Sequence, residues 1–286
     1  MAVGAAFCIA LGSMFASELK GRVDVLRLVR WQFVSAFLMG VAATLVVGDW
    51  VDLTVHQIGL FAISGFVSVV MAGLAYFNAI YMAGPRITAL MFSLTSPFAL
   101  LFAYLILGET VSLQQGLGIA VVLAGVTLAV GGGDGRRHQG RGTWPWRGIA
   151  LGALAALFQS LGTLAARPAM ESGAGPVAAI AVRMGTAAIF YSVLLLVPMP
   201  RLHRPYRFAT RDFVLAVVAA FFSSALATVF MMSALTEGKV GIVATLASMT
   251  PVLVLPMVWL RTARMPSPLA WIGAALAVVG TAVISL

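Results

Sequence analysis

Two arginines stand inside apolar stretches of this sequence, where a charged side chain is costly. Arg30 lies in LVRWQF and Arg183 in AVRMGT, each early in a hydrophobic run. A guanidinium at membrane depth requires an anion or water to compensate its charge, so such residues often mark ion pairs or solute pathways. We expect Arg183, about two turns inside its run, to face a cavity or an ion pair. Arg30 lies nearer the end of its run, where extension to the interface is the alternative.

A second pattern places proline after hydroxyl residues. Pro97 follows Leu-Thr-Ser and Pro251 follows Ser-Met-Thr. Proline removes a backbone donor and kinks or breaks a helix, and the freed carbonyls are tolerated in a membrane only against protein or a water-filled cavity. We interpret both prolines as hinges in a cavity wall, and the alternative is a structural kink repaired by the same hydroxyls. The neighbouring candidate residues are Ser93, Ser96, Ser248 and Met249.

A third group of polar side chains lies in AYFNAIYMAGP, which contains Tyr76, Asn78 and Tyr81. No single helical stripe holds all three. With the nearby Phe92 they would line a partly aromatic pocket suited to amphipathic organic solutes. Packing against the rest of the bundle is the alternative.

None of these groups suggests catalysis. The three histidines, His56, His138 and His203, all fall in predicted loops, and the sequence contains no HExxH motif and no P-loop. We therefore expect no catalytic residue, no metal site and no cofactor.

Composition identifies the elements that must position these residues. Of 286 residues, 61% are hydrophobic and 9% charged, whereas soluble domains are about half apolar and about a quarter charged. A helix needs about 20 apolar residues to cross a bilayer. The sequence predicts an all-α membrane protein with ten transmembrane helices, at about 2–19, 25–48, 57–83, 87–107, 114–132, 147–166, 177–198, 212–236, 240–260 and 268–286.

A polar, basic, glycine-rich segment, GGGDGRRHQGRG, divides the ten spans into five and five. The predicted organisation is a first repeat over 1–132, a linker over 133–146 and a second repeat over 147–286. An odd number of spans in each half makes these inverted repeats. The fifth span of each half supports the match, with Gly118 opposite Gly273 and Gly125 opposite Gly280.

The placement of basic residues predicts orientation. Numbering each loop by the span before it, the odd loops carry 14 lysines and arginines and the even loops carry 2. Cytoplasmic loops are the ones enriched in lysine and arginine. The bias predicts cytoplasmic odd loops and both termini outside.

These residues resemble the drug/metabolite transporter superfamily, in particular its ten-helix EamA-type members built from two five-helix repeats. The resemblance rests on Arg30 and Arg183 in the second helix of each half, the hydroxyl-proline pair of the fourth helix, Gly108-Glu109 at its close and the glycine-rich fifth helix. The family usually keeps its termini in the cytoplasm, so the resemblance and the charge bias imply opposite orientations.

The resemblance implies a secondary transporter of the inner or plasma membrane that works by alternating access. Its partners would be membrane lipid and a small organic substrate, with no nucleic acid. Export of amino acids or related metabolites and drugs is the implied activity, with aromatic or amphipathic solutes as the first expectation. A membrane-embedded lipid-processing or accessory protein without transport activity is the alternative.

Proton coupling would need a carboxylate well inside the membrane. All nine acidic residues fall in loops or near span ends, and only Glu18 comes close enough to a span interior to reach a cavity. We therefore expect facilitated diffusion or exchange.

The loop charges predict the location of the C-terminus. A reporter that is active only outside the cytoplasm, fused after Leu286, should give signal because the odd loops carry the basic residues. Fluorescence from a cytoplasm-only reporter at the same position would instead establish the family's usual orientation.

Overall fold

The chain is helical throughout the part that the structure describes. The computed structural model describes residues 2–47, 53–108, 112–131, 146–194, 209–227, 230, 250–262 and 265–285, and these contain helices and no strand. The predicted all-α fold class is confirmed. The predicted linker lies almost wholly outside the described residues, as do the end of the eighth span and the start of the ninth.

The first half contains α1 (Ala2–Glu18), α2 (Val25–Val47), α3 (Val55–Gly65), α4 (Ala72–Phe92), α5 (Thr95–Leu107) and α6 (Leu113–Gly131). The second half contains α7 (Trp146–Glu171), α8 (Pro176–Leu194), α9 (Thr210–Ala220), α10 (Thr250–Thr262) and α11 (Pro268–Ser285). A six-residue π-helical segment follows α3 (π1, Phe66–Met71) and another follows α9 (π2, Phe221–Leu226). Both π segments follow an 11-residue helix, so they occupy corresponding places in the two halves.

Several of these helices are long enough to cross a bilayer. Four stretches in the described part meet the length and hydropathy that spanning requires: Val25–Val46, Val55–Phe92, Trp146–Met170 and Val177–Leu194. The other helices are shorter but also apolar. The exposed surfaces of both the long and the shorter helices carry large hydrophobic side chains, such as Leu105, Val193 and Leu260, as a lipid-facing surface does.

The third and fourth spans meet at a sharp bend within α4. Gly84 has φ 83° and ψ 164°, a backbone conformation that glycine adopts without the strain of a Cβ. Pro85 follows immediately, where its fixed φ suits the first residue of a helix. The third span therefore ends at the predicted position.

The two halves are related by an approximate two-fold axis, which is clearest where α6 packs on α11. A Cβ on Gly118 would lie 2.9 Å from the Gly280 carbonyl oxygen, and one on Gly125 would lie 2.6 Å from that of Gly273. The two helices therefore run in opposite directions. In the repeat alignment Gly118 corresponds to Gly273 and Gly125 to Gly280. Gly118 therefore contacts the residue that corresponds to Gly125, and Gly125 contacts the residue that corresponds to Gly118. This reciprocal pairing is the pattern of a two-fold interface.

The same relation orders the other helices. The second helices of the two halves, α2 and α8, pack against each other. The first helix of each half packs on the third of the other: α1 on α9 and π2, and α7 on α3, π1 and α4. The third helices thus lie between the halves, where a solute site is expected in inverted-repeat transporters.

The glycine contacts predict a stability difference between two matched variants. Gly125→Ala places a methyl group against backbone, which should destabilise by about 1–3 kcal/mol through overpacking and lower Tm by several degrees. Gly116→Ala, on the same helix with nothing within 4 Å of a Cβ, is the control. Thermal unfolding in detergent measures both, and equal Tm values would contradict the close helix contact.

Candidate functional site

The fourth span is interrupted at Ser93 and Leu94, before its proline. The Ser93 hydroxyl donates to the Leu90 carbonyl at 2.6 Å, and the Thr95 hydroxyl donates to the Phe92 carbonyl at 2.6 Å. Ser160 on α7 donates to the Thr95 carbonyl at 2.7 Å. The broken backbone is thus compensated by side chains of both halves, as membrane depth requires.

Pro97 itself causes no further break. It is the third residue of α5, within the first turn, where backbone N–H groups have no acceptor inside the helix. Its side chain is buried. Pro251 lies in α10 of the second half, and it is also buried.

The π1 segment places Ser68 at the contact between the halves. Its hydroxyl donates to the Ser64 carbonyl at 2.7 Å. Gly162 on α7 packs so closely that a Cβ there would lie 2.4 Å from the Ser68 Cβ. Tyr191 on α8 donates to the Val70 carbonyl, so a backbone group of the π segment is satisfied from the other half. Segments of this kind are frequent at functional sites.

The second half repeats this arrangement. Ser223 is the third residue of π2, as Ser68 is of π1, and its hydroxyl donates to the Ala219 carbonyl at 2.7 Å. A Cβ on Gly12 of α1 would lie 2.6 Å from the Ser223 Cβ. The two glycine–serine contacts therefore correspond to each other under the two-fold relation of the halves.

Arg183 on α8 reaches this contact. Its Nη2 donates to the Ser68 hydroxyl at 2.6 Å. Gly65 allows the close approach of the two backbones, because a Cβ there would lie 2.7 Å from the Arg183 Cα. The Arg183 Nε is buried and has no hydrogen-bond acceptor among the residues that the structure describes. The guanidinium is thus anchored on one side by a neutral hydroxyl, which does not compensate its charge.

Arg183 lines a cavity of about 270 Å³ between the halves, which we call the central cavity. Its described walls come from α1, α2, α7, α8, both π segments and the adjoining parts of α4. The lining combines hydroxyls and an amide with aromatic rings: Ser13, Ser68, Ser223, Ser224, Gln159, Phe33, Tyr76, Phe77 and Phe92. Tyr76 contacts Phe92 edge to face, with ring centroids 5.2 Å apart.

A second cavity of about 580 Å³, the side cavity, also includes Arg183. Its walls come from α3, α5, α7, α8 and the end of α11, with Ser96, Ser160 and Arg167 among the lining residues. Along their spans, the lining residues on α3, α7 and α8 lie in the halves that border the even loops, and those on α5 lie near the middle of the fourth span. The side cavity therefore leads from Arg183 towards the even-loop side of the membrane.

Four of the other predicted site residues, Arg30, Asn78, Tyr81 and Ser93, are not among the residues that line the two cavities. Arg30 is exposed on α2. Asn78 donates to the Leu74 carbonyl of its own helix at 2.7 Å, and Tyr81 donates to the Val23 carbonyl at 3.1 Å, joining α4 to the loop after α1. Ser93 is bonded to its own helix end. Ser248 and Met249 lie outside the described residues.

Sequence reasoning missed Ser68, Gln159 and the serines of π2. A single serine in an apolar span carries no distinctive pattern. The available signal was the spacing of Ser64 and Ser68, which puts two small hydroxyl residues one turn apart on one face of the third helix.

Polar contacts join the halves at both ends of the bundle. At the end bordering the odd loops, Arg261 pairs with Glu18 at 3.3 Å, and Arg22 pairs with Asp212 at 3.7 Å. At the even-loop end, the Gln57 amide donates to the Ser172 hydroxyl at 2.8 Å. Gln57 and Asp212 are each the third residue of the corresponding helices α3 and α9. The neutral contact of Gln57 in the first half therefore corresponds to the ion pair of Asp212 in the second half.

Spanning helices, inverted repeats and a cavity between them define a class, that of membrane proteins which move solutes. The chain belongs to the EamA-like transporter family, whose model matches residues 1–131 and again residues 146–286. The resemblance drawn from the sequence is confirmed. The chain is an integral, multi-pass membrane transporter of small molecules and not an enzyme.

A comparison with solved structures supports the fold and carries no information on function. A crystal structure described only as that of a protein superposes with a TM-score of 0.69 at 20% identity, over 98% of this chain and 94% of that one. At this identity the likeness shows a shared fold. No curated protein matches the chain significantly.

Proposed function

We propose that the protein is a secondary transporter of the cell membrane that moves small organic solutes through the central cavity by alternating access. The observation that carries this proposal is the lining of that cavity. Both halves contribute hydroxyls at the middle of the helices, the place where inverted-repeat transporters bind substrate. The first half adds the aromatic rings, and the second half adds an amide and the one cation among the described lining residues. Amino acids or related metabolites, exported by facilitated diffusion or exchange, are the proposed substrates.

The contacts at the odd-loop end support an alternating mechanism. Arg261 also donates to the Met14 carbonyl and the Ser17 hydroxyl, both at 2.9 Å, so one side chain holds the ends of α1 and α10 together. Its pairing with Glu18 is partly exposed, with side-chain exposures of 38% and 34%. Exposed pairs contribute only about 0.2–1 kcal/mol. In the proposed cycle these contacts separate when the cavity opens to the odd-loop side.

Glu18 is more easily explained as part of this contact than as a proton carrier. It lies at the last residue of α1, beside Arg261, and it does not line either cavity in the described chain. A carboxylate whose protonation competes with substrate would have to reach the substrate site. The position of Glu18 therefore supports facilitated diffusion or exchange.

The function is tested by uptake into proteoliposomes. Saturable uptake of at least one labelled amino acid or related small metabolite is expected, with self-exchange accelerated by the same solute inside. Empty liposomes control for leakage, and Gly116→Ala, whose added methyl group meets no other atom within 4 Å, controls for nonspecific effects of substitution. Absence of saturable uptake across a broad panel would favour the accessory or lipid-processing role.

Energy coupling is tested with the same preparation. At fixed substrate, an imposed pH gradient should leave the initial uptake rate within about twofold, because no described cavity residue is acidic. Glu18→Gln should keep this insensitivity. Concentrative uptake that requires the gradient and disappears in Glu18→Gln would overturn the proposed mechanism and identify Glu18 as the proton carrier.

A further inference from the structure

The charge of Arg183 distinguishes it from every other described residue in the central cavity. It is the one cation among the described lining residues, and none of those residues is an acid. Two described acids, Glu18 and Asp212, form ion pairs at the odd-loop end, with Arg261 and Arg22. The cavity thus holds a positive charge that no described carboxylate balances.

We propose that the central cavity binds organic monoanions, with Arg183 recognising a carboxylate and the aromatic rings holding the apolar part of the molecule. This rests on the proposed transport function and names its substrate class. The proposal predicts a higher affinity for an organic anion than for a zwitterionic amino acid. The ammonium group of a zwitterion would add a second charge next to Arg183, where no described lining residue offers an anion.

The hydrogen bonds at Arg183 support recognition of a carboxylate. A guanidinium presents five donors in a planar fork that matches a carboxylate in a two-point contact. Only one bond to a protein acceptor is described, from Nη2 to Ser68, and the buried Nε has none. A buried donor without an acceptor is unfavourable. In the proposed complex, small movements of neighbouring side chains uncover Nε, and the incoming carboxylate supplies the missing acceptor while Nη2 stays bonded to Ser68.

Ser68 acts as a positioning residue. Its hydroxyl proton is used in the bond to the Ser64 carbonyl, so its oxygen is oriented as an acceptor for Arg183. Gly162 and Gly65 hold π1 against α7 and α8, which leaves Ser68 little freedom to move. The guanidinium is therefore fixed before substrate enters, a preorganisation that improves binding.

The rest of the lining fits an apolar, ring-bearing body. Phe33, Tyr76, Phe77 and Phe92 provide aromatic surface on the α2 and α4 side of the cavity. Tyr76 contacts both Phe77 and Phe92 edge to face, at 5.6 and 5.2 Å between centroids. Aromatic rings prefer such offset or edge contacts, so a substrate ring can join this cluster. Arg183 also lines the side cavity, which gives an anion a route to the same guanidinium.

Three small molecules that share a phenyl ring and differ in charge test the proposal. They are 3-phenylpropanoate, phenylalanine and 2-phenylethylamine, an anion, a zwitterion and a cation. Binding to the purified full chain in detergent is measured by calorimetry at one salt concentration. The anion should bind at least tenfold more tightly than the cation, with phenylalanine between them.

Substitutions then assign the selectivity to Arg183. Arg183→Gln should weaken binding of the anion at least tenfold and bring the affinities for anion and cation within about threefold. Arg183→Lys keeps the charge without the fork and should retain part of the preference. Ser68→Ala should reduce the ratio of anion to cation affinity while the protein elutes as a single species. Arg30→Gln, at an exposed site on the corresponding helix, is the control and should bind as the unaltered chain does.

Three results would overturn the proposal. These are equal affinity for anion and cation, undiminished anion binding in folded Arg183→Gln, and no measurable anion binding at millimolar concentration. Failure of the transport function is distinguishable, because it would appear as Arg183-dependent anion binding without exchange in proteoliposomes. Saturable exchange of a cation or zwitterion that is unaffected by Arg183→Gln would keep the transport function and reject the anion site.

Discussion

Backbone carbonyls inside a bilayer must find donors within the protein, and this requirement shapes the centre of the molecule. An uninterrupted helix satisfies its own backbone, but a helix that is broken or contains a π segment does not. Here Ser93, Thr95 and Ser160 supply donors at the break of the fourth span, and Tyr191 supplies one at π1. Each of these irregular places adjoins a cavity, so the departures from regular helix are what create room and polar groups for a solute.

The same requirement explains why the third helices are central. A π segment widens the helix and turns its polar side chains relative to a regular helix. In this way Ser68 comes to pack against Gly162, and Ser223 comes to pack against Gly12. The site is thus built from small residues that bring backbones together. It is completed by one long side chain, Arg183, whose charge is balanced by none of the described residues that line the cavity.

The sequence predicted the large-scale organisation better than the site. Apolar runs, the end of the third span at Gly84 and the glycine pattern of the fifth spans are local features, so they could be read directly. Arg183 could be identified because a charge at membrane depth is costly wherever it lies. Ser68 and the π segments could not, because a π turn depends on packing against a neighbouring helix and has no local signature. Asn78 and Tyr81 are polar residues of the same apolar helix as Tyr76, so the sequence does not distinguish the three. Only the tertiary contacts show that Tyr76 lines the central cavity, whereas Asn78 and Tyr81 bond to backbone carbonyls.

The reciprocal glycine contacts between α6 and α11 have a consequence for ancestry. Gly118 meets Gly280 and Gly125 meets Gly273, and none of these contacts involves residues 132–145. An interface of this kind is self-complementary, so a single five-helix unit would form it with an upside-down copy of itself. If the protein unit encoded by one gene inserted into the membrane in both orientations, the two copies would already form this pairing of fifth helices. Duplication and fusion would then let each half diverge. Arg183 lines the central cavity while Arg30, at the corresponding place, is exposed, and two identical units related by a two-fold axis would not show this asymmetry.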